Sequence, residues 1–255
     1  MKSLFKLFFI LNFLCATSFA KEVNFIHITD MNLNSNNAKK AYEIIKEINS
    51  YPDIDFVVFG GNNIAKPNFN NLEIFLYLFK KVNKKAYVLL GSNDVLSTSG
   101  ITKEYYLKRV NKASFFKHSK EVNYIFKKNG YIFIAMDGTK QFFQSQNGYY
   151  TKKELEWLEN NLKKFEKEKV IILQHFPLLE TESKWIETAK MQDYKEMLSK
   201  YKNVKVIVSG HYNKNTELTQ DGIYHILTED FSKNNAYKII QIDLDDDFIG
   251  TYLVK

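Results

Sequence analysis

Five short segments gather the side chains of this sequence best suited to joint chemistry. They are Asp30-Met-Asn32, Gly61-Asn62, Gly91-Ser92-Asn93-Asp94, His175-Phe-Pro177 and Gly210-His211-Tyr-Asn213. Carboxylates and imidazoles bind transition metals and carry protons, so Asp30, Asp94, His175 and His211 are the reactive candidates. Each segment follows an apolar run that reads as a buried strand, and open α/β sheets collect ligands at the carboxyl ends of such strands. The clearest run is Phe56 to Phe59, two aromatics around two valines, ended by Gly60-Gly61. The glycines let the backbone turn tightly beside a bound group. Asn62 and Asn63 then stand where a charged residue is expected.

The elements that must position these segments follow from hydrophobic spacing. Val23 to Thr29, Phe56 to Phe59 and Ala86 to Leu90 read as strands, separated by helical patterns at Ala38 to Ile48 and Leu72 to Val82. Strand, helix, strand, helix, strand implies parallel pairing with right-handed crossovers. Val122 to Phe126 and Tyr131 to Met136 flank Asn129-Gly130, a hairpin signal. A loop from Gln141 to Tyr149 precedes Thr151 and Glu154, spaced as a capping box, and a stripe of Leu155, Leu158, Leu162 and Phe165. Val170 to Leu173 and Val204 to Val208 are two more buried strands, with a helix between them at Met191 to Tyr201. Short strands at Thr216 to Thr219, Ile223 to Leu227, Ala236 to Leu244 and Phe248 to Leu253 complete the chain, with Asp245 to Asp247 as a turn. No repeat or linker divides it, so one domain is expected over residues 21–255.

The chain has 255 residues, 15% of them aromatic, and a formal net charge of +7. That is enough apolar material for one well-cored domain. Its lysines are interleaved with glutamates on apparent helix faces, and Arg109 is the sole arginine, so no nucleic-acid partner is expected. Lys and Asn are abundant where Arg, Pro and Gly are thin, the bias of A/T-rich codons. In that bias, His to Asn and Asp to Asn are each one base change. Lys2 and Lys6 precede an apolar run from Leu7 to Ala16, and Ser18-Phe19-Ala20 forms a small-x-small cleavage site. A signal peptide over residues 1–20 and a periplasmic or secreted location are therefore expected, with membrane attachment only if the signal is uncleaved. Cleavage also removes Cys15, the one cysteine.

In order and spacing, the five segments resemble the five motifs of the calcineurin-like metallophosphoesterases: Asp-x-His, Gly-Asp, Gly-Asn-His-Asp/Glu, His and Gly-His-x-His. The Trp157-Leu158-Glu159 run before the fourth segment adds to the resemblance, which spans the mature chain. It implies an α/β fold, a two-layer β-sandwich flanked by helices. It further implies two divalent ions at the strand ends, bridged by a carboxylate and a hydroxide that attacks phosphorus in line. A third-motif histidine protonates the leaving oxygen.

Carried over position by position, the resemblance implies a depleted site. Asp30 matches the first-metal carboxylate, and His175 and His211 match second-metal ligands. Asn32 and Asn213 stand for histidines of the first metal, Asn62 for the bridging aspartate and Ser92 for the second-metal asparagine. Asn93 stands for the catalytic histidine that Asp94 would orient. Two dications about 3.5 Å apart repel by on the order of 20 kcal/mol at an effective dielectric near 20. A neutral amide at position 62 cannot supply the bridging charge that offsets this, so a two-metal centre is not expected.

These residues lead to an exported phosphoesterase-fold protein, inactive or severely impaired in phosphoester hydrolysis and acting by binding. Its cleft would take a protein segment or a polar small molecule. The alternative is a phosphoesterase using one divalent transition metal (Mn, Fe or Zn) on His175, His211 and Asp30. His27, His118 and His225 read as structural.

Overall fold

The computed structural model describes residues 22–114, 116 and 118–255. The expected signal peptide lies outside the described residues. In chain order the elements are β1 (Val23–Ile28), α1 (Ala38–Ser50), β2 (Phe56–Gly60), α2 (Phe69–Phe79), β3 (Lys85–Leu89), α3 (Lys103–Ala113), β4 (Tyr124–Lys128), β5 (Tyr131–Met136) and α4 (Lys152–Lys164). There follow β6 (Val170–Gln174), α5 (Met191–Leu198), β7 (Val204–Ser209), β8 (Thr216–Gln220), β9 (Ile223–Leu227), α6 (Phe231–Asn234), β10 (Tyr237–Asp243) and β11 (Phe248–Val254). No helix among the described residues is long and apolar enough to cross a membrane.

Two sheets stack face to face. The first runs β11-β10-β1-β2-β3 and the second β4-β5-β6-β7-β9-β8. β1, β2 and β3 pair parallel, as do β5, β6, β7 and β9, while β10, β11, β4 and β8 add antiparallel edges. Helices cover the outer faces: α1, α2 and α3 on the first sheet, α4 and α5 on the second. The two-layer β-sandwich flanked by helices is thus present.

β2 shows why its run is unbroken by polar residues. Val57 and Phe59 face the helices, whereas Phe56 and Val58 face the other sheet. A strand buried on both faces has no solvent side on which to alternate. Phe56 is a hub of the inter-sheet layer. Its ring stacks on Phe25 at 4.9 Å and meets Phe133, Phe126 and Tyr87 edge-on at 5.2, 5.3 and 5.4 Å.

Local signals hold where the chemistry is local. Thr151 and Glu154 form the reciprocal capping box of α4, and Asn129-Gly130 turns the β4–β5 hairpin with positive φ at both residues. α2 begins three residues earlier than the apolar spacing implies, because the Asn68 side chain accepts the Asn71 N–H at 2.9 Å and caps it. α3 is not announced by its apolar spacing: only Tyr106, Leu107 and Val110 are buried, and Thr102 caps it by accepting the Tyr105 N–H at 3.1 Å.

His27, His118 and His225 are all buried. The His118 Nε2 accepts the Val88 N–H at 3.0 Å, and its Nδ1 donates to the Ser119 carbonyl at 2.9 Å. Burial pulls its pKa down from 6.5 to about 4, since a proton on Nε2 would point at another N–H.

Replacing Phe56 with Ala is expected to cost about 3–5 kcal/mol of stability, read from denaturant unfolding, because the facing sheet cannot collapse into the void. His118 sets a pH dependence. Its folded pKa is depressed, so its contribution is complete above about pH 6.5 and is lost as pH falls towards 4. A Gln retains both hydrogen bonds without titrating. His118→Gln should therefore gain on the parent over that window, by up to on the order of 3 kcal/mol, in melts run from pH 7 to pH 4.

Candidate metal centre

All five segments lie at the carboxyl ends of parallel strands, following β1, β2, β3, β6 and β7. Backbone hydrogen bonds carry the pairing past the strands and lock neighbouring loops together. Asp30 N donates to Gly61 O at 2.9 Å, Asn32 N to Asn62 O at 2.8 Å and Gly210 N to His175 O at 3.1 Å. Asp30, Asn32, Asn62, His211 and Asn213 all have positive φ, between 45° and 69°. Asp, Asn and His are the non-glycine residues that best tolerate this region. Gly61 has φ +95°, and a Cβ there would lie 2.6 Å from His175 Nδ1. Gly91 is equally constrained, since its Cβ would sit 2.3 Å from Asn62 N.

The three retained motif residues converge. Asp30, His175 and His211 each offer a ligand atom, and these atoms lie within 4.8 Å of one another. His175 Nδ1 donates to the Gly60 carbonyl at 2.7 Å. That leaves Nε2 turned inward, buried without a hydrogen-bond partner and 3.8 Å from Asp30 Oδ1. The His211 ring packs on His175 and Phe176, with centroids 5.0 and 4.9 Å away. Its Nε2 donates to the Ile186 carbonyl at 3.2 Å. Burial first, then the neighbouring His175, pulls the His211 pKa down to about 4, so His211 is neutral near pH 7.

Asp30 is surrounded by donors from its own chain. Oδ1 accepts from Asn62 Nδ2 at 2.9 Å, and Oδ2 accepts from Thr29 Oγ1 and from His211 N, both at 2.9 Å. Burial pushes its carboxyl up, but the two histidines and these hydrogen bonds outweigh that and hold it below the ordinary value.

Asn62, Ser92, Asn93 and Asn32 are joined to this carboxylate by a chain of hydrogen bonds. Asn62 Oδ1 accepts the Asn93 N–H at 2.9 Å and the Ser92 hydroxyl at 3.4 Å. Asn93 Nδ2 donates to Asn32 Oδ1 at 3.0 Å, and Asn32 Nδ2 donates to the Asp30 carbonyl and the Ser232 hydroxyl, both at 3.1 Å. Asn213 Oδ1 accepts the Asp230 N–H at 3.3 Å. Asp94 lies deeper, fully buried, where it accepts Gly91 N at 2.8 Å, Ile64 N at 3.0 Å and Asn63 Nδ2 at 3.1 Å. Burial pushes its carboxyl up to about 7. It staples the third segment to the second rather than orienting Asn93.

Thr29, Asp230 and Ser232 belong to the site without belonging to any motif. Thr29 adjoins Asp30 and was open to inspection. Asp230 and Ser232 reach the site only because Phe231 N and Ser232 N donate to the carbonyls of Thr29 and Asp30, at 3.0 and 3.1 Å. Asp230 Oδ1 is buried without a partner, and burial, with Asp30 nearby, pushes that carboxyl up to about 6.

Among the described residues, the donor set that could hold an ion is this one group of three. Two imidazoles and a carboxylate suffice for a single transition metal, and the partnerless His175 Nε2 is one of the ligand atoms that could meet it. A second ion lacks its bridge, because Asn62 turns an N–H, not an anion, toward Asp30.

A helix-flanked double sheet with metal-type ligands at its strand ends is the architecture of a metallophosphoesterase. The sequence model of the calcineurin-like phosphoesterase family matches residues 23–214, and the chain belongs to that family. Among solved structures it is similar to a dimetal phosphatase from Danio rerio, with TM-score 0.69, 13% identity, and 91% of this chain and 98% of that one covered. It is also similar to GAP50, described as the anchor in the inner membrane complex of Plasmodium, with TM-score 0.63, 15% identity and coverages of 92% and 84%. TT1561 of Thermus thermophilus aligns with TM-score 0.61, 10% identity and coverages of 91% and 99%. At these identities the likeness is one of fold. No curated protein sequence matches the chain.

Asn62→Asp tests the amide network. Without metal it replaces a donor to Asp30 by a second carboxylate, and the variant should lose about 2–3 kcal/mol in thermal or denaturant unfolding. Added Mn or Zn should restore much of that loss, whereas the parent should respond far less.

Proposed function

We propose that this chain has left two-metal phosphoester hydrolysis and acts by binding through the cleft at its strand ends. The observation that carries the reading is the hydrogen bond from Asn62 Nδ2 to Asp30 Oδ1. It puts a neutral donor on the carboxylate at the position where the family carries the bridging anion. The amides of Asn93 and Asn32 extend the same network. Such a lining offers both donors and acceptors, and it suits an uncharged polar ligand or a protein segment. A binding role has a counterpart in the fold, since GAP50 is described as an anchor. The leader-like first twenty residues support an exported location.

A second reading rests on His175 Nε2, which faces Asp30 with no partner. Here His175, His211 and Asp30 would hold one Mn, Fe or Zn ion. When bound, such an ion would polarise a phosphoryl oxygen and make bound water more acidic. Asn62 and Asn93 would then orient the phosphate by hydrogen bonds. Asn93, a carboxamide, has no titratable proton to give the leaving group, so hydrolysis would be confined to esters with good leaving groups.

Elemental analysis after incubation with Mn, Fe and Zn, joined to a screen of phosphomonoesters and phosphodiesters, separates the readings. The binding role expects less than one ion per chain and no turnover above background. One tightly held ion, with turnover abolished by His175→Ala or His211→Ala, would establish the single-metal enzyme instead. Two ions per chain would overturn both.

A further inference from the structure

Four strands form the outer edges of the two sheets, and three of them are guarded against pairing with another chain. On β3, the Val88 N–H is taken by His118 Nε2 and the Val88 carbonyl by the Tyr124 hydroxyl at 3.1 Å. β4 carries Lys127 and Lys128. β8 is Thr-Glu-Leu-Thr-Gln, with Glu217 bonded to the buried Lys238. Charged residues and covering groups are the usual protection of sheet edges.

β11 has none of these. Its residues are Phe-Ile-Gly-Thr-Tyr-Leu-Val, with no charge and no proline, and its register with β10 runs from Phe248 to Val254 without a bulge. Among the described residues its backbone pairs with β10 alone. Phe248 is 47% and Tyr252 67% exposed. An apolar, unprotected edge without a bulge is a template for one more strand.

We propose that β11 pairs antiparallel with β11 of a second copy of this chain, about a two-fold axis through Thr251. A two-fold interface must be self-complementary, and this strand is so in one register. With the axis at Thr251, Phe248 opposes Val254, Ile249 opposes Leu253, Gly250 opposes Tyr252, and Thr251 opposes itself. Apolar and Thr–Thr pairs of this kind stabilise a sheet. Tyr252 of each copy would lie over the other's Gly250, beside Phe248, whose ring already covers that glycine from its own strand. Aromatic cover of an edge glycine stabilises paired strands.

Charge selects the same register. Beyond the strand ends, Asp247 of each copy would oppose Lys255 of the other, giving two ion pairs. Lys255 is already 2.9 Å from Glu229 and would gain a second carboxylate. Moving the axis to Gly250 brings Asp247, the turn residue next to the strand, against Leu253. Moving it to Tyr252 sets Lys255 against Ile249. Both alternatives bury charge on apolar side chains. Thr251 Oγ1 donates to Glu217 at 2.9 Å, so β8 lies beneath β11 and its polar edge would approach its counterpart.

Sedimentation of the purified protein over a concentration series tests this. The parent should form a dimer at rising concentration. Tyr252→Lys, at an exposed position, should melt like the parent and sediment as a monomer. Asp247→Lys, which opposes like charges, should weaken the dimer about tenfold. Asp247→Lys combined with Lys255→Asp should restore it. A parent that is monomeric throughout would overturn the proposal. So would a dimer indifferent to Tyr252→Lys, or a double variant no tighter than the single one.

Discussion

Asp30 is an anion with almost no access to water, and burying a carboxylate costs several kcal/mol unless donors surround it. In a dimetal phosphatase, cations can meet that demand. Here Asn62 Nδ2, Thr29 Oγ1 and His211 N meet it instead. Two of these three groups come from loops following other strands, so the carboxylate ties the ends of β1, β2 and β7 together. The amides at positions 32, 62 and 93 then form a continuous set, each satisfied by the next. A buried polar network is stable only when its members are paired, and along this line they are.

The exceptions show where the network is incomplete. His175 Nε2 and Asp230 Oδ1 are both buried without partners. One is a base and the other an acid, and both adjoin Asp30. Their presence beside an otherwise paired network leaves two open polar atoms next to Asp30, in the group of side chains that could hold a cation. It also separates this protein from a fold whose cleft has simply filled with apolar side chains. The loops hold left-handed residues and close glycine contacts, which fix the side chains at the strand ends relative to one another.

The sandwich supports this through its middle layer. Phe56, Phe25 and Phe133 pack the sheets together, while the same strand, β2, delivers Asn62. Fold stability and site geometry therefore share one element, but on different atoms. Side-chain changes at the loop leave the core untouched, so the motif residues can be exchanged without dismantling the fold.

The apolar run of β2, the capping box of α4, the Asn-Gly hairpin and the five motif segments were all legible in the sequence. Each depends on neighbours within a few residues, or on a periodicity set by burial on one face or two. That Asn32, Asn62, Ser92 and Asn213 stand where the resemblance implies metal ligands, and Asn93 where it implies the catalytic histidine, was legible for the same reason, because charge is a property of the residue. α3 was not legible, since three buried side chains on an otherwise polar helix leave little pattern. The tertiary structure alone decided that Asn62 donates to Asp30 rather than standing free, and that Asp94 turns into the interior. It also brought Asp230 and Ser232, past the last motif, to the site. Those outcomes depend on distances between loops separated by tens to hundreds of residues, and only the stacking of the strands sets such distances.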